Sequence, residues 1–182
     1  MLRGTFKDQF GEFPAGTYVR NPIGSKHAPW VDADGCTIMV KLLQMAETAG
    51  EGTQPLHINL DTTKRQKVAF GSIAELYRNE HTGELVQMCW LDAGATFAAD
   101  TKSTGGEELF VLSGSLMIPG ESTLVEWGWA RFPCVQEGAS QRTTLTAGPN
   151  GAQVYRKTGH LTPQALRMEK IRINDDETIA GE

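Results

Sequence analysis

Residues 16–30 read GTYVRNPIGSKHAPW. Glycine, proline and glycine recur at fixed spacing, followed by one histidine, with apolar residues on both sides. Gly supplies backbone conformations that other residues avoid, and Pro fixes its own φ near one value. Gly16, Pro22 and Gly24 therefore specify a tight connection between extended segments, and such a connection aims His27 at one place.

Working outward, short runs rich in Val, Ile, Phe, Tyr and Trp recur between turn residues: 16–21, 36–45, 85–91, 107–118, 129–133 and 152–157. That spacing predicts an all-β fold of sandwich or barrel type. Two windows are helical candidates, 164–171 and 39–47, the latter equally readable as a buried strand. With 182 residues the chain holds one large domain or two small ones, and 20 glycines with 8 prolines agree with turn-rich β structure.

A net charge of -5 without any Lys/Arg cluster argues against a nucleic-acid partner. No apolar run reaches the ~18–20 residues of a membrane-spanning helix, and the N-terminus carries no apolar leader, so no membrane association is expected. Cys36, Cys89 and Cys134 are odd in number, far apart and set in or beside apolar runs. They read as buried free thiols, which suits a reducing cytoplasm.

The two halves of the chain echo one another. Gly4, Gly16, Arg20, Pro22, Gly35 and Lys41 answer to Gly114, Gly128, Arg131, Pro133, Gly151 and Lys157, with the same interval from the last glycine to the lysine. Two related β units follow: a partial one at 1–45 and a complete one at 66–161. The polar stretch 46–65 reads as a connection and 162–182 as a tail, acidic over 173–182.

Gly16, Pro22, Gly24 and His27 resemble the second conserved motif of the cupin superfamily, G-x5-P-x-G-x2-H-x3-N, with Val31 in place of its Asn. The wider wording of 4–45 is similar to the ChrR-like cupins, many of which have two barrels. The resemblance implies jelly-roll barrels, one partial and one complete, and a histidine that turns inward to ligate a divalent metal, Zn or Fe. Such a metal needs further donors; Zn binds imidazole nitrogen at ~2.0–2.1 Å in a closed set of ligands.

The family draws those donors from a first motif, G-x5-H-x-H-x3-4-E-x6-G. It occurs once here, altered: Gly94, then Asp100 and Lys102 at the histidine positions, Glu107 and Gly114. A charged lysine has no lone pair to give, so the second barrel is expected to hold no metal, its Asp100, Lys102 and Glu107 forming a charge cluster instead. The second unit's counterpart of the opening turn, 131–141, also lacks a histidine. In the first unit, the strand and loop expected to carry the remaining ligands would lie ahead of Met1. A barrel short of early strands exposes unpaired edges, which predicts a homo-oligomer, a dimer closing on that side.

Tyr18 and Arg20 share one strand face and Arg131 repeats Arg20; these are candidate pocket walls, with structural ion pairing the favoured role. Glu107 and Glu108 are adjacent in a strand and must face opposite ways. His57, His81 and His160 read as solvated or locally hydrogen-bonded. No nucleophile elbow, Cys-x-x-Cys, His-Glu-x-x-His or phosphate-binding glycine loop is present. Three functions stay open: a ChrR-like cupin that binds a small molecule or a metal, an Fe or Zn cupin enzyme of dioxygenase type, and a metal-free structural or assembly protein. An anti-sigma role would call for an added helical zinc module, and the sequence has no cluster of His and Cys to supply one.

Overall fold

The computed structural model describes residues 1–42, 54–99, 105–133 and 143–161. Every regular element among them is a strand, and none is a helix that could cross a membrane. The predicted helix at 164–171 lies outside the described residues, as do Asp100, Lys102 and Cys134.

The strands are β1 (Arg3–Asp8), β2 (Gly11–Pro14), β3 (Thr17–Arg20), β4 (Cys36–Thr37), β5 (Leu56–Asn59), β6 (Gln66–Val68), β7 (Gly71–Asn79), β8 (Glu84–Leu91), β9 (Thr96–Ala98), β10 (Glu107–Met117), β11 (Trp129–Phe132) and β12 (Thr144–Thr158). A large antiparallel sheet runs β11-β10-β12-β8-β7-β6. The second half of β12 lies between β8 and the start of β10, while its first half pairs with β9 and the end of β10. One long strand thus bends the sheet around its own interior.

Strand alternation gives this sheet two apolar faces. Cys89, Leu91, Leu109, Val111, Ala152 and Val154 face inward, joined by Phe97, Leu116 and Leu145. Val86, Met88, Phe110, Leu112 and Tyr155 point outward, where Tyr18, Met39, Ile58 and Leu60 of the first unit cover them. A sheet buried on both faces reads as continuous apolar runs, which is why β8 and β10 were legible and the covering layer was not. β7, which contains Ala, Glu, Leu and Arg, gave no strand signal; its alternation shows only against β8, with a bulge between Glu75 and Tyr77.

The echo between the halves is structural. Gly4 pairs with Cys36 as Gly114 pairs with Ala152. Both glycines have positive φ, +67° and +76°, and a Cβ on either would sit about 2 Å from a carbonyl oxygen, that of Gly35 or of Gly151. Only glycine fits such an approach.

The stretch expected to be a bare connection contains β5, and β5 has a specific role. Leu60 N–H donates to Gly16 O as Val111 N–H donates to Gly128 O. Asn59 then pairs with Thr17 as Phe110 pairs with Trp129. β5 therefore lies against β3 as the start of β10 lies against β11, in the slot that the sequence reading assigned to chain ahead of Met1. Of the predicted strand at 36–45, residues 36–42 are described; among the described residues Cys36–Thr37 pair with β1, and 38–42 run on without a partner strand.

Candidate functional site

Consecutive residues of β10 place two carboxylates on opposite faces of the sheet. Glu107 points inward and is fully buried. Arg156 Nε donates to its Oε1 at 2.7 Å and Nη2 to its Oε2 at 3.3 Å, while Nη1 reaches Gln87 Oε1 at 3.4 Å. The guanidinium fork matches both carboxylate oxygens and brings the positive charge. The charge partner foreseen for Glu107 was Lys102; among the described residues it is Arg156, on the neighbouring strand β12.

Glu108 points outward, towards the first unit. Its Oε1 accepts the Trp129 indole N–H at 2.6 Å, and its Oε2 accepts from His160 Nε2 at 2.7 Å and forms an ion pair with Lys41. Burial alone would favour the neutral acid, but the bonds from His160 and Lys41 outweigh it and hold this carboxyl at about 2. Burial pulls both Lys41 and His160 below their ordinary values, against the attraction of Glu108. The His160 side chain is 6% exposed, and among the described residues its Nδ1 has no hydrogen-bond partner. That arrangement suits a neutral ring with its proton on Nε2, because a protonated ring would bury a second, unmatched N–H.

Beside this cluster lies a cleft of about 280 Å³. Met39 and Val40 form one wall; Phe110, Trp129 and Tyr155 form the other, with Lys41 and Glu108 at the polar end. The partnerless stretch 38–42 creates the space by passing over the sheet without pairing to it. A second cleft of similar size lies under Trp90 and Trp127. Guanidinium groups already cover both of those rings, Arg65 at 3.7 Å from Trp90 and Arg3 at 4.6 Å from Trp127. The first cleft, with open aromatic walls, is the better site.

The described candidates, Tyr18, Arg20, Glu107 and Arg131, lie in three places. Arg20 is buried between the layers, gripping Glu84 at 3.1 and 3.3 Å and lying 3.7 Å over the Tyr77 ring, while Lys157 holds the same carboxylate at 2.8 Å. Tyr18 packs beside it, and burial lifts its hydroxyl to about 12. Glu107 is inside the sheet. Arg131 lies directly across from Glu108 in the β10–β11 register, hence on the cleft face, and among the described residues it makes no ion pair. The sequence reading did not single out Lys41, Trp129 or His160 as site residues. The signals were present: the repeat pairs Lys41 with Lys157, and each of these lysines ends on a carboxylate of the large sheet.

His27 ends the opening turn with its side chain 34% exposed, Nδ1 3.0 Å from Asp8 Oδ2 and its ring against Phe6. Asp8 is buried and also caps the Phe10 N–H. His57 stacks on Phe13 instead, and His81 lies in an exposed turn. Among the described residues, no group of three His, Cys, Asp or Glu side chains could hold a metal. His27 and Asp8 alone fall short of the donor set that Zn or Fe requires.

Comparison with solved structures gives distant likenesses. One is a chain of the complex of Rhodobacter sphaeroides SigE with the anti-sigma ChrR: 16% identity, TM-score 0.44, covering 54% of this chain and 51% of that one. An RmlC-like cupin protein from Ralstonia eutropha JMP134 shows 14% identity and a TM-score of 0.44 over 55% of this chain and 65% of its own. An acetylacetone dioxygenase from Acinetobacter johnsonii shows 17% identity and a TM-score of 0.43 over 65% and 80%. The chain thus spans about half of the first of these proteins and under two thirds of the second. No curated protein matches the sequence. At the level of families, residues 1–46, the segment that carries the His27 turn and Lys41, match the ChrR Cupin-like domain.

Proposed function

We propose that this protein is a cupin-type binding protein that holds a small molecule, by its apolar body, in the cleft between the 39–41 segment and the outer face of the large sheet. The observation that carries this reading is the cleft itself. Five apolar side chains line it, and Lys41 and Glu108 form an ion pair at its polar end.

The state of the titratable groups favours binding over catalysis. A general acid or base works best with a pKa near the working pH. Glu108, held at about 2, stays ionised and is a weak base. Both oxygens of Glu107 are taken by Arg156. Neither carboxylate is poised to move a proton.

The test is titration with N-phenyl-1-naphthylamine, an uncharged fluorescent probe, against wild type and Val40→Trp, which fills the cleft from an exposed wall. Saturable binding near one probe per chain, lost in the variant, is the expected result. Unsaturable binding, or binding unchanged in the variant, would overturn the reading. Elemental analysis of tag-free protein, wild type and His27→Ala, addresses the metal-binding alternative: about one equivalent lost in the variant would favour it.

A further inference from the structure

Among the described residues, the charges around the cleft do not balance. Lys41 lines its polar end, Arg131 lies across from Glu108 in the β10–β11 register, and Glu108 is the carboxylate beside both. His160, which also bonds Glu108, is held towards its neutral form by burial, as is the Tyr155 hydroxyl of the cleft wall. Behind them on the same face, Arg20 and Lys157 share one carboxylate, Glu84. Among the described residues, the group of Lys41, Arg131 and Glu108 carries one positive charge more than negative, and Lys41 adjoins the apolar walls of the cleft.

The donors are also under-used. A lysine ammonium has three N–H donors and a guanidinium five. Lys41 shares Glu108 Oε2 with His160, and Arg131 has no ion-pair partner among the described residues. Glu108 keeps its bonds to Trp129 and His160 whether or not Lys41 leans away to a second anion.

Resting on the reading of this cleft as a binding site, we propose that its ligand is a monocarboxylate with a flat or branched apolar body, the carboxylate bridging Lys41 and Arg131 and the body lying between Val40 and Trp129. One negative charge balances the group. A planar carboxylate fits the arginine fork, and the small cleft with its aromatic wall favours a ring-sized body over a heavily hydrated polyanion. The site lies outside the enclosed interior of the sheet and uses Lys41 of the first unit, so ligand binding also ties the two units together.

The test is displacement of N-phenyl-1-naphthylamine by three compounds that share one body: naphthalene-2-carboxylate, its amide, and 2-naphthylmethylamine. The acid is expected to bind about tenfold or more tightly than the amide at low salt. That advantage should shrink in Arg131→Gln, an exposed position whose change leaves every ion pair described above intact. Acid and amide equal while the uncharged probe still binds would overturn the carboxylate assignment alone. A preference for the amine would overturn it too, and point to Glu108 as the recognising group. Failure of the uncharged probe to bind would overturn the cleft reading and this inference with it.

Discussion

In the second unit β10 runs unbroken from Glu107 to Met117, pairing first with β11 and then carrying Gly114 to its place opposite Ala152. In the first unit the corresponding pairings come from two separate pieces. β1 carries Gly4 to Cys36, and β5, some fifty residues further along, supplies the partner of β3. The backbone around Gly16 and Gly128 accepts both solutions in the same register. A strand position is defined by the donors and acceptors it must satisfy and by the side chains it must cover, and chain continuity is not among its requirements. The second unit encloses its own core, whereas the first is a thin layer that shares the outward apolar face of the large sheet. The two should respond differently to damage.

The largest effect is expected inside the second unit. Glu107→Leu removes the carboxylate that accepts two N–H bonds from the Arg156 guanidinium, a loss of about 3–5 kcal/mol. Adding Arg156→Met should recover most of it, since an apolar pair of similar volume replaces a buried ion pair at little cost. Urea unfolding of both variants measures this, and no recovery in the double variant would show that the pair has a further structural role.

Next come the paired glycines. Gly114→Ala and Gly4→Ala each force a side chain onto a carbonyl oxygen at positive φ, for about 2–4 kcal/mol. Gly114→Ala should unfold the molecule as a whole. Gly4→Ala should loosen chiefly the first unit, visible as hydrogen exchange at β1 to β3 with β8 and β12 still protected. Equal loss of protection throughout would erase the distinction between the units.

Arg20→Met cuts the tie between the layers while Lys157 still neutralises Glu84. We expect about 2 kcal/mol from the lost charged hydrogen bonds, with probe binding in the cleft weakened alongside. Unchanged binding would mean that the 38–42 segment is positioned independently of β3.

The adjacent glutamates sharpen the contrast through pH. Folding favours the ionised form of Glu108, whose carboxyl lies at about 2 against an ordinary 4.5. The stability it contributes is complete above pH 4.5 and is lost as pH falls towards 2. His160, lowered from 6.5 mainly by burial, acts in the same direction: folding favours its neutral form, so stability declines as pH drops below 6.5. Unfolding free energies measured from pH 7.5 to 3 should fall in these two windows, and Glu108→Gln should flatten the lower one. The smallest effect belongs to Arg3→Ala. Its exposed pair with Glu126 at 2.9 Å contributes at most about 0.5 kcal/mol, and a larger loss would show that the stacking of Arg3 on Trp127 holds the units together.

The turn at 16–27, the strands at 85–91, 107–118 and 129–133, the opposed faces of Glu107 and Glu108, and the glycine-spaced repeat are written in local sequence. Backbone restrictions at Gly and Pro, and the period of two along a strand, act within a few residues and need no knowledge of what lies across the sheet. Tertiary structure alone decided the partners. It gave Arg156 to Glu107, and Lys41 and His160 to Glu108. It gave Glu84 to Arg20 as the ion-pair partner, and it made a strand of 56–59 in what read as a connection. Each of these joins residues roughly 40 to 70 positions apart or turns on a hydrogen-bond slot left open elsewhere, and sequence spacing carries no record of such closures.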